Sequence, residues 1–380
     1  MQGKYGTMIV VKYQVHNSAS QGGVYLHFNT KNTHSQAVDM LGEMAKKRRA
    51  NDRTAPWMEK HVSEAALANF KHCGDYLVFL EDETREHKKL EVGFFCKQRL
   101  CPGCGWRASL ASAKCLGAIA AKMEESGRVM LMCTLTVRNV GAEDLTDTIR
   151  RINRAWSKML KREIFKPWAD YVRKLEVTYN KDSDTYHPHL HVILFVTQSY
   201  FGKRYISQRK LLEAWRSAYG DQNITNVDIR RCKSYKDGSN AVLEVAKYTA
   251  KSSDYTQSET VFDAMYQGLY HARLMEYAGA CKTLRDDYRK GKLEMYEQAD
   301  TTLYTMRVVY IWSAITNAYD EHDVQAYDMS AAQLARLQRD EKRLATYAMA
   351  EADRLLSWSN WLSLDWVRAL RDADEIEVAQ

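Results

Sequence analysis

The segment Tyr186-His187-Pro188-His189-Leu190-His191 leads straight into the β-branched, apolar run Val192-Ile193-Leu194-Phe195-Val196. Strand alternation sends His187, His189 and His191 to one face and Leu190 and Val192 to the other. Neutral imidazoles side by side on a rigid strand supply half of a divalent-metal site. A polar edge strand is the plainer reading of the same residues. A carboxylate just upstream completes the set. Leu175-Glu176-Val177-Thr178-Tyr179 reads as a strand and Asn180-Lys181-Asp182-Ser183-Asp184 as a turn, so a β-hairpin sets Glu176 opposite His189 to His191, on their face. Two imidazoles and one carboxylate with open positions suit Mg²⁺ or Mn²⁺ when the substrate brings phosphate oxygens. A solvated strand carboxylate is the alternative for Glu176.

A second chemical element lies downstream, in Asn240-Ala241-Val242-Leu243-Glu244-Val245-Ala246-Lys247-Tyr248-Thr249-Ala250-Lys251. Its apolar residues recur at helical spacing, with Ser239 or Asn240 as the N-cap. Glu244 and Tyr248 are four apart and so share a face, with Lys251 one turn beyond Tyr248. A tyrosine hydroxyl attacks a phosphodiester when a metal polarises the phosphate and a cation aids deprotonation. A glutamate beside it can then activate water. Alone the pair says little, because the chain has 23 tyrosines and most must pack.

Cysteine spacing points to a different site. Cys96-x4-Cys101-x2-Cys104, with the Pro102-Gly103 turn inside the last pair, has the geometry of a zinc knuckle. Cys73, which precedes Gly74, is the expected fourth ligand, with His72 and His87 as alternatives. Four sulfurs close the shell, so zinc here would be structural. Buried thiols are the competing explanation, and Cys115, Cys133, Cys232 and Cys281 read as ordinary core cysteines. Lys97, Arg99 and Arg107, with Trp106 among them, could grip phosphate and stack a base; a solvated basic face is the duller account. The opening Met1-Gln2-Gly3-Lys4-Tyr5 has no apolar signal core, which argues for a reducing cytoplasm.

Several motifs stand in a fixed order: Phe95-Cys96-Lys97-Gln98-Arg99-Leu100-Cys101-Pro102-Gly103-Cys104, then Met132-Cys133-Thr134-Leu135-Thr136-Val137-Arg138-Asn139, then Leu175-Glu176-Val177-Thr178-Tyr179-Asn180, then His187-Pro188-His189-Leu190-His191, then Glu244-Val245-Ala246-Lys247-Tyr248. Over about Cys73 to Tyr255 this set resembles the rolling-circle replication initiators (Rep proteins) of small Gram-positive plasmids, within the HUH endonuclease superfamily. The resemblance implies that His189 and His191 bind the catalytic Mn²⁺ or Mg²⁺, with His187 the accompanying histidine. It implies that Tyr248 attacks the scissile phosphate, becomes 5′-phosphotyrosyl and frees a 3′-OH primer. Glu244 matches the glutamate that activates water in the terminating cleavage, and Lys251 a basic residue near the tyrosine. Cys133 departs from the family's opening strand, at a position that reads as packing. Tyr255 matches the spacing of a second nucleophile, but Ser252-Ser253-Asp254 reads as a helix end and Glu244 already provides for release.

Charge divides the chain. Residues 257–380 hold 14 Lys and Arg against 21 Asp and Glu, whereas residues 1–256 hold 41 against 27. The basic part contains every motif and would attract a phosphate backbone; the acidic part is not expected to be the main DNA surface. The basic run Lys46-Lys47-Arg48-Arg49 reads either as a DNA contact or as a solvated helix end. Residues 1–125 form an N-terminal region, with short β-like stretches near Met8–Tyr13 and Val24–Phe28 and the cysteine segment at about 73–107. Residues 126–256 form the catalytic domain. Residues 257–380, without proline and with apolar residues at helical intervals, read as a mainly helical acidic domain.

The expected fold is therefore α+β, an antiparallel-sheet HUH nuclease core with interleaved helices. The expected activity is metal-dependent, site-specific nicking and strand transfer on single-stranded DNA in a hairpin at a plasmid origin. A host helicase and DNA polymerase are partners implied by the family, and a homo-oligomer is compatible with the helical domain. No stretch is long and apolar enough to span a membrane. An HUH relaxase or transposase, and a non-catalytic zinc-dependent DNA-binding regulator, are the alternatives.

Overall fold

A computed structural model describes residues 39–232, 242, 245–246, 250–297, 300–327, 334–335 and 338–339. These all lie in one compact unit, Val24–Leu344. The expected β-like stretches near Met8–Tyr13 and Val24–Phe28 lie outside the described residues, as do Glu244 and Tyr248.

The centre is a five-stranded sheet, all of its pairings antiparallel. Its strands are β3 (Arg128–Thr136), β4 (Tyr171–Asn180), β5 (Thr185–Thr197), β6 (Val227–Arg231) and β7 (Met275–Ala278), in the order β6-β3-β5-β4-β7. β5 is the middle strand, and its run of Val, Ile, Leu and Phe is buried on both faces. Proline is normally excluded from such a position because it cannot donate to a ladder. Pro188 falls beyond the last β3 pair, Thr136 with His189, and before the bridge between Val140 and Tyr186. β3 has left the sheet there, so the missing N–H costs no ladder bond.

Helices cover both faces. On one, α4 (Ala142–Leu160), α5 (Gln208–Tyr219) and the helix Glu259–Leu269 bury Leu145, Ile149, Ile152, Trp156, Trp215 and Phe262 against Leu131, Leu135, Leu175, Leu190 and Val192. The bounds of α5 are set by chemistry: the Ser207 side chain accepts from Lys210 N, and Gly220 stops the helix at φ +83°. On the other face, α3 (Pro102–Glu125) and the helix Ala280–Arg289 pack on Met130, Met132, Val172, Ile193 and Phe195. Val242, Val245 and Ala246 are helical and join this second core.

A separate four-stranded sheet holds the N-terminal strands β1 (Tyr76–Glu81) and β2 (Lys88–Gly93). Its order is β2-β1-β8-β9, with β8 (Met306–Ser313) and β9 (Ala318–Ala326) contributed from far downstream. α1 (Met40–Met58) and α2 (Glu64–Lys71) lie beside it, and Leu77, Phe79, Trp106, Val308 and Tyr310 form its core.

This corrects the expectation of a helical region after residue 257. Residues 257–327 supply three strands, one to the central sheet and two to the N-terminal one. The short strand Met275-Glu276-Tyr277-Ala278 and the mostly exposed Ala318–Ala326 carry little apolar alternation, so their sequence does not announce them. They form because neighbouring strands offer unpaired backbone. Four residues near the end, 334–335 and 338–339, are helical.

The basic run also differs from expectation. Lys46 to Arg49 lies in the middle of α1, and Arg48 is buried, donating to Asp75 (2.7 Å), to Asp52 and to the Lys71 carbonyl (2.6 Å). It is a brace between helices, and Arg49 donates to Asn317 O (2.9 Å).

Candidate active site

The hairpin register puts Glu176 directly across from His189, and Lys174 across from His191. Residues paired across a sheet share a face, so Glu176, His189 and His191 converge. The two Nε2 atoms are 3.0 Å apart, and Glu176 Oε2 lies 3.2 Å from His191 Nε2 and 3.7 Å from His189 Nε2. Glu176 and His189 are buried, and His191 is mostly so.

Each imidazole is held from behind. His189 Nδ1 donates to the His187 carbonyl (3.1 Å), which leaves the Nε2 lone pair facing the cluster. His191 Nδ1 meets Thr134 Oγ1 at 3.2 Å. Burial pushes the Glu176 carboxyl up, but the facing His189 and His191 imidazoles, once protonated, outweigh it and hold it well below the usual carboxylate range. Lys174 is pushed down to about 8 by burial, against the pull of Glu176.

Two imidazole lone pairs and a carboxylate facing one another across about 3 Å repel unless a cation stands among them. An octahedral Mg²⁺ with ligands at about 2.1 Å has adjacent ligand atoms about 3.0 Å apart. The observed 3.0 and 3.2 Å separations fit neighbouring positions of such a shell, and the 3.7 Å between His189 and Glu176 is wider than its ideal edge. His187 stands apart: its Nδ1 is 2.8 Å from Asn139 Oδ1, and its ring lies 5.1 Å from that of His189.

The cysteines also meet. Cys73, Cys96, Cys101 and Cys104 bring their sulfurs within 4.8 Å of one another, with Cys73–Cys101 at 3.4 Å, Cys73–Cys104 at 3.6 Å and Cys96–Cys104 at 3.8 Å. A tetrahedron of zinc–sulfur bonds of about 2.3 Å has edges of about 3.8 Å. Backbone N–H groups already serve the cluster: Cys96 N donates to Cys73 Sγ (3.4 Å) and Lys97 N to Cys104 Sγ (3.2 Å), Lys97 adopting φ +60° to do so. Hydrogen bonds from Cys101, Cys73 and Cys96 hold Cys104 far below an ordinary thiol, while Cys101 is pushed well above one by sharing with Cys104 and Cys73. Four sulfurs gathered at this spacing are a donor set suited to a thiophilic cation. His72 and His87 are exposed and paired with Asp75 and Asp82.

Two of the flanking residues differ from the nucleic-acid contacts expected of them. Trp106 is buried in the core of the N-terminal sheet. Arg99 donates to the Leu269 and Ala272 carbonyls at the end of the Glu259–Leu269 helix. A tryptophan or arginine in a basic run reads alike in sequence whether it faces solvent or the core.

Lys251 is exposed at the start of the turn Ser252–Tyr255. Tyr255 is buried, its ring 6.2 Å from that of Phe262, and serves packing. Sequence reasoning missed Thr134 and Lys174, although both pair with His191 on neighbouring strands; their chemistry shows only once those strands are aligned.

Among the described residues the structure thus holds two candidate metal-ligand sets, two imidazoles and a carboxylate on adjacent antiparallel strands and a group of four sulfurs. Comparison with known proteins identifies the chain's family. A family profile described as replication protein matches residues 87–320, a span that includes the histidine strand and three of the four clustered cysteines. "Protein rep" of Staphylococcus aureus is 34% identical over 219 residues, covering 57% of this chain and 95% of that protein. "Protein rep" of Streptococcus pneumoniae is 32% identical over 272 residues, covering 67% and 84%, and that of Lentilactobacillus hilgardii 33% identical over 264 residues, covering 62% and 83%. No solved structure matches significantly. The chain belongs to the Rep family of plasmid replication initiators. No helix among the described residues is long and apolar enough to cross a membrane.

Proposed function

We propose that this initiator is a metal-dependent, site-specific endonuclease and strand-transferase acting on single-stranded DNA at a plasmid origin. The observation that carries this reading is the convergence of Glu176, His189 and His191 to about one metal-ligand spacing on rigid central strands. Glu176, His189 and His191 would hold Mn²⁺ or Mg²⁺, which supplies charge to the nonbridging oxygens of the scissile phosphate. Cys73, Cys96, Cys101 and Cys104 would hold a structural zinc.

The Tyr248 hydroxyl gives up its proton to solvent as its oxygen attacks phosphorus, the bond from phosphorus to O3′ breaks, and the departing O3′ takes a proton from water to become the 3′-OH. The products are a 5′-phosphotyrosyl link and a primer end for a host polymerase, with a host helicase opening the duplex. At termination Glu244 takes a proton from a water whose oxygen attacks phosphorus in place of a tyrosine; the bond from phosphorus to O3′ breaks, O3′ takes a proton, and the strand ends in a 5′-phosphate that is not bound to the enzyme. Lys251 lends positive charge near the tyrosine. The packing of Val242, Val245 and Ala246 on the sheet face that carries the histidines supports this assignment. A single strand is needed because a duplex shields the phosphodiester from in-line attack, and an extruded origin hairpin supplies one.

The test uses purified protein, Mn²⁺ and labelled oligonucleotides tiling the origin, resolved on a denaturing gel. Wild type forms a cleaved product and a protein–DNA adduct; Tyr248→Phe forms neither, and Glu244→Ala accumulates the adduct. Specific binding without a cut in any metal would refute the nuclease and leave a zinc-dependent DNA-binding regulator.

A further inference from the structure

A cavity of about 850 Å³ is walled by Phe95 and Arg107 from the cysteine segment and α3, and by Lys174, Ala250 and Met275. Its size is in the range of small-ligand sites, about 300–1,000 Å³. Lys174 is the informative residue. It is only 7% exposed, it lines the cavity, and among the described residues its ammonium forms no hydrogen bond or ion pair. Its only electrostatic neighbour there is Glu176, two residues along the same strand. An ammonium on a largely buried side chain, with no bonded partner and open to a cavity, is a site that an entering anion can pair with.

The position of Lys174 says which anion. It pairs across the sheet with His191, which sets its side chain on the same face as the metal cluster, about 5 Å away at Cβ. At the cavity mouth the Arg107 guanidinium stacks on Phe95, 3.6 Å from the ring centroid, and remains exposed. A planar cation backed by an aromatic ring is a platform on which a base stacks. The carboxylate on this wall, Glu91, is paired with Arg307 at 2.7 Å and so is neutralised.

Building on the nickase reading, we propose that this cavity holds the nucleotide next to the scissile phosphate of single-stranded DNA. Lys174 Nζ donates to a nonbridging oxygen of the neighbouring phosphodiester, and the Arg107–Phe95 pair stacks the base. The cysteine cluster thereby has a part in substrate binding, since the loop it staples carries Phe95 and leads into the helix that carries Arg107.

The experiment measures binding of a fluorescent origin strand by anisotropy in metal-free buffer, so no cleavage intervenes. Lys174→Met should weaken binding about tenfold and lower the slope of log K against log salt by about 0.7, the loss of one single-strand phosphate contact. A single uncharged methylphosphonate beside the nick should cost wild type the same factor and Lys174→Met nothing more. An abasic nucleotide at that position should weaken wild type but not Arg107→Ala. Lys174→Met should melt no lower than wild type; if it fails to fold, the methylphosphonate scan on wild type and the exposed Arg107→Ala decide. Affinity and slope unchanged in Lys174→Met, or no position sensitive to methylphosphonate, would overturn the proposal. Loss of binding in Lys174→Met with no nicking by wild type would instead refute the nickase and keep the phosphate site.

Discussion

Thr134→Val tests the metal cluster without touching a ligand. Thr134 Oγ1 lies 3.2 Å from His191 Nδ1, the only hydrogen bond seen to that nitrogen among the described residues. Valine keeps the shape and deletes the hydroxyl, leaving the ring free to rotate and its tautomer unfixed. Partners of this kind contribute about 10- to 100-fold to metal affinity, which is about 1.4–2.7 kcal/mol. Isothermal titration of Mn²⁺ into metal-stripped protein reads this directly as a rise in Kd. Thr136→Val is the internal control. Thr136 lies on the same face and pairs with His189, but its hydroxyl donates to Asn226 O at 2.9 Å. It should change Mn²⁺ affinity less than about twofold. Since Thr134 sits in a half-buried strand position, valine there should leave apoprotein stability within about 1 kcal/mol. Equal Kd values for wild type and Thr134→Val, or equal losses in both variants, would refute the argument that Thr134 orients a ligand.

Two further outcomes concern the frame. Buried Arg173 donates to Glu276 (2.8 Å) and Asn153 (2.7 Å), tying β4 to β7 and α4, so Arg173→Ala should cost about 3–5 kcal/mol in urea unfolding. Arg173→Met with Glu276→Leu should recover most of that loss. Burial raises the Glu276 carboxyl, but Tyr171 and Arg173 together hold it below its usual value; the stability it contributes is present above that value and lost as pH falls through the folded one. The gap between wild type and Arg173→Met should therefore narrow in acid. For the cysteine cluster, native mass spectrometry should find one zinc per chain, absent from Cys101→Ser, and a strong chelator should lower the melting temperature and expose thiols to a labelling reagent.

Much of the site was legible because strand geometry is periodic. Three histidines at every second position, and a carboxylate across a short turn, leave one register that buries Leu175, Leu190 and Val192 together; a slip by one residue would turn the ligands into the wrong core. Helices α4 and α5 were legible from their apolar stripes and caps. The downstream strands were not, because β7 is recruited by the edge of β4, and β8 and β9 form a hairpin that docks on β1 far upstream. Arg48 and Trp106 were misread for a related reason: their burial depends on Asp75, Val308 and Tyr310, which no local window contains.

The order of the N-terminal sheet has a consequence for how the protein is made. β1 pairs on one side with β2, only a few residues on, and on the other with β8, where Tyr76 meets Ile311. The ribosome therefore delivers the strands of the central sheet, through Ala278, before it has made the partner that covers Leu77 and Phe79. For that interval β1 presents an open edge and an incomplete apolar core, the state in which chains pair with one another. Assembly of the first strands waits on nearly the last ones described, so a chain cut short before β8 loses the front of the molecule as well as its end.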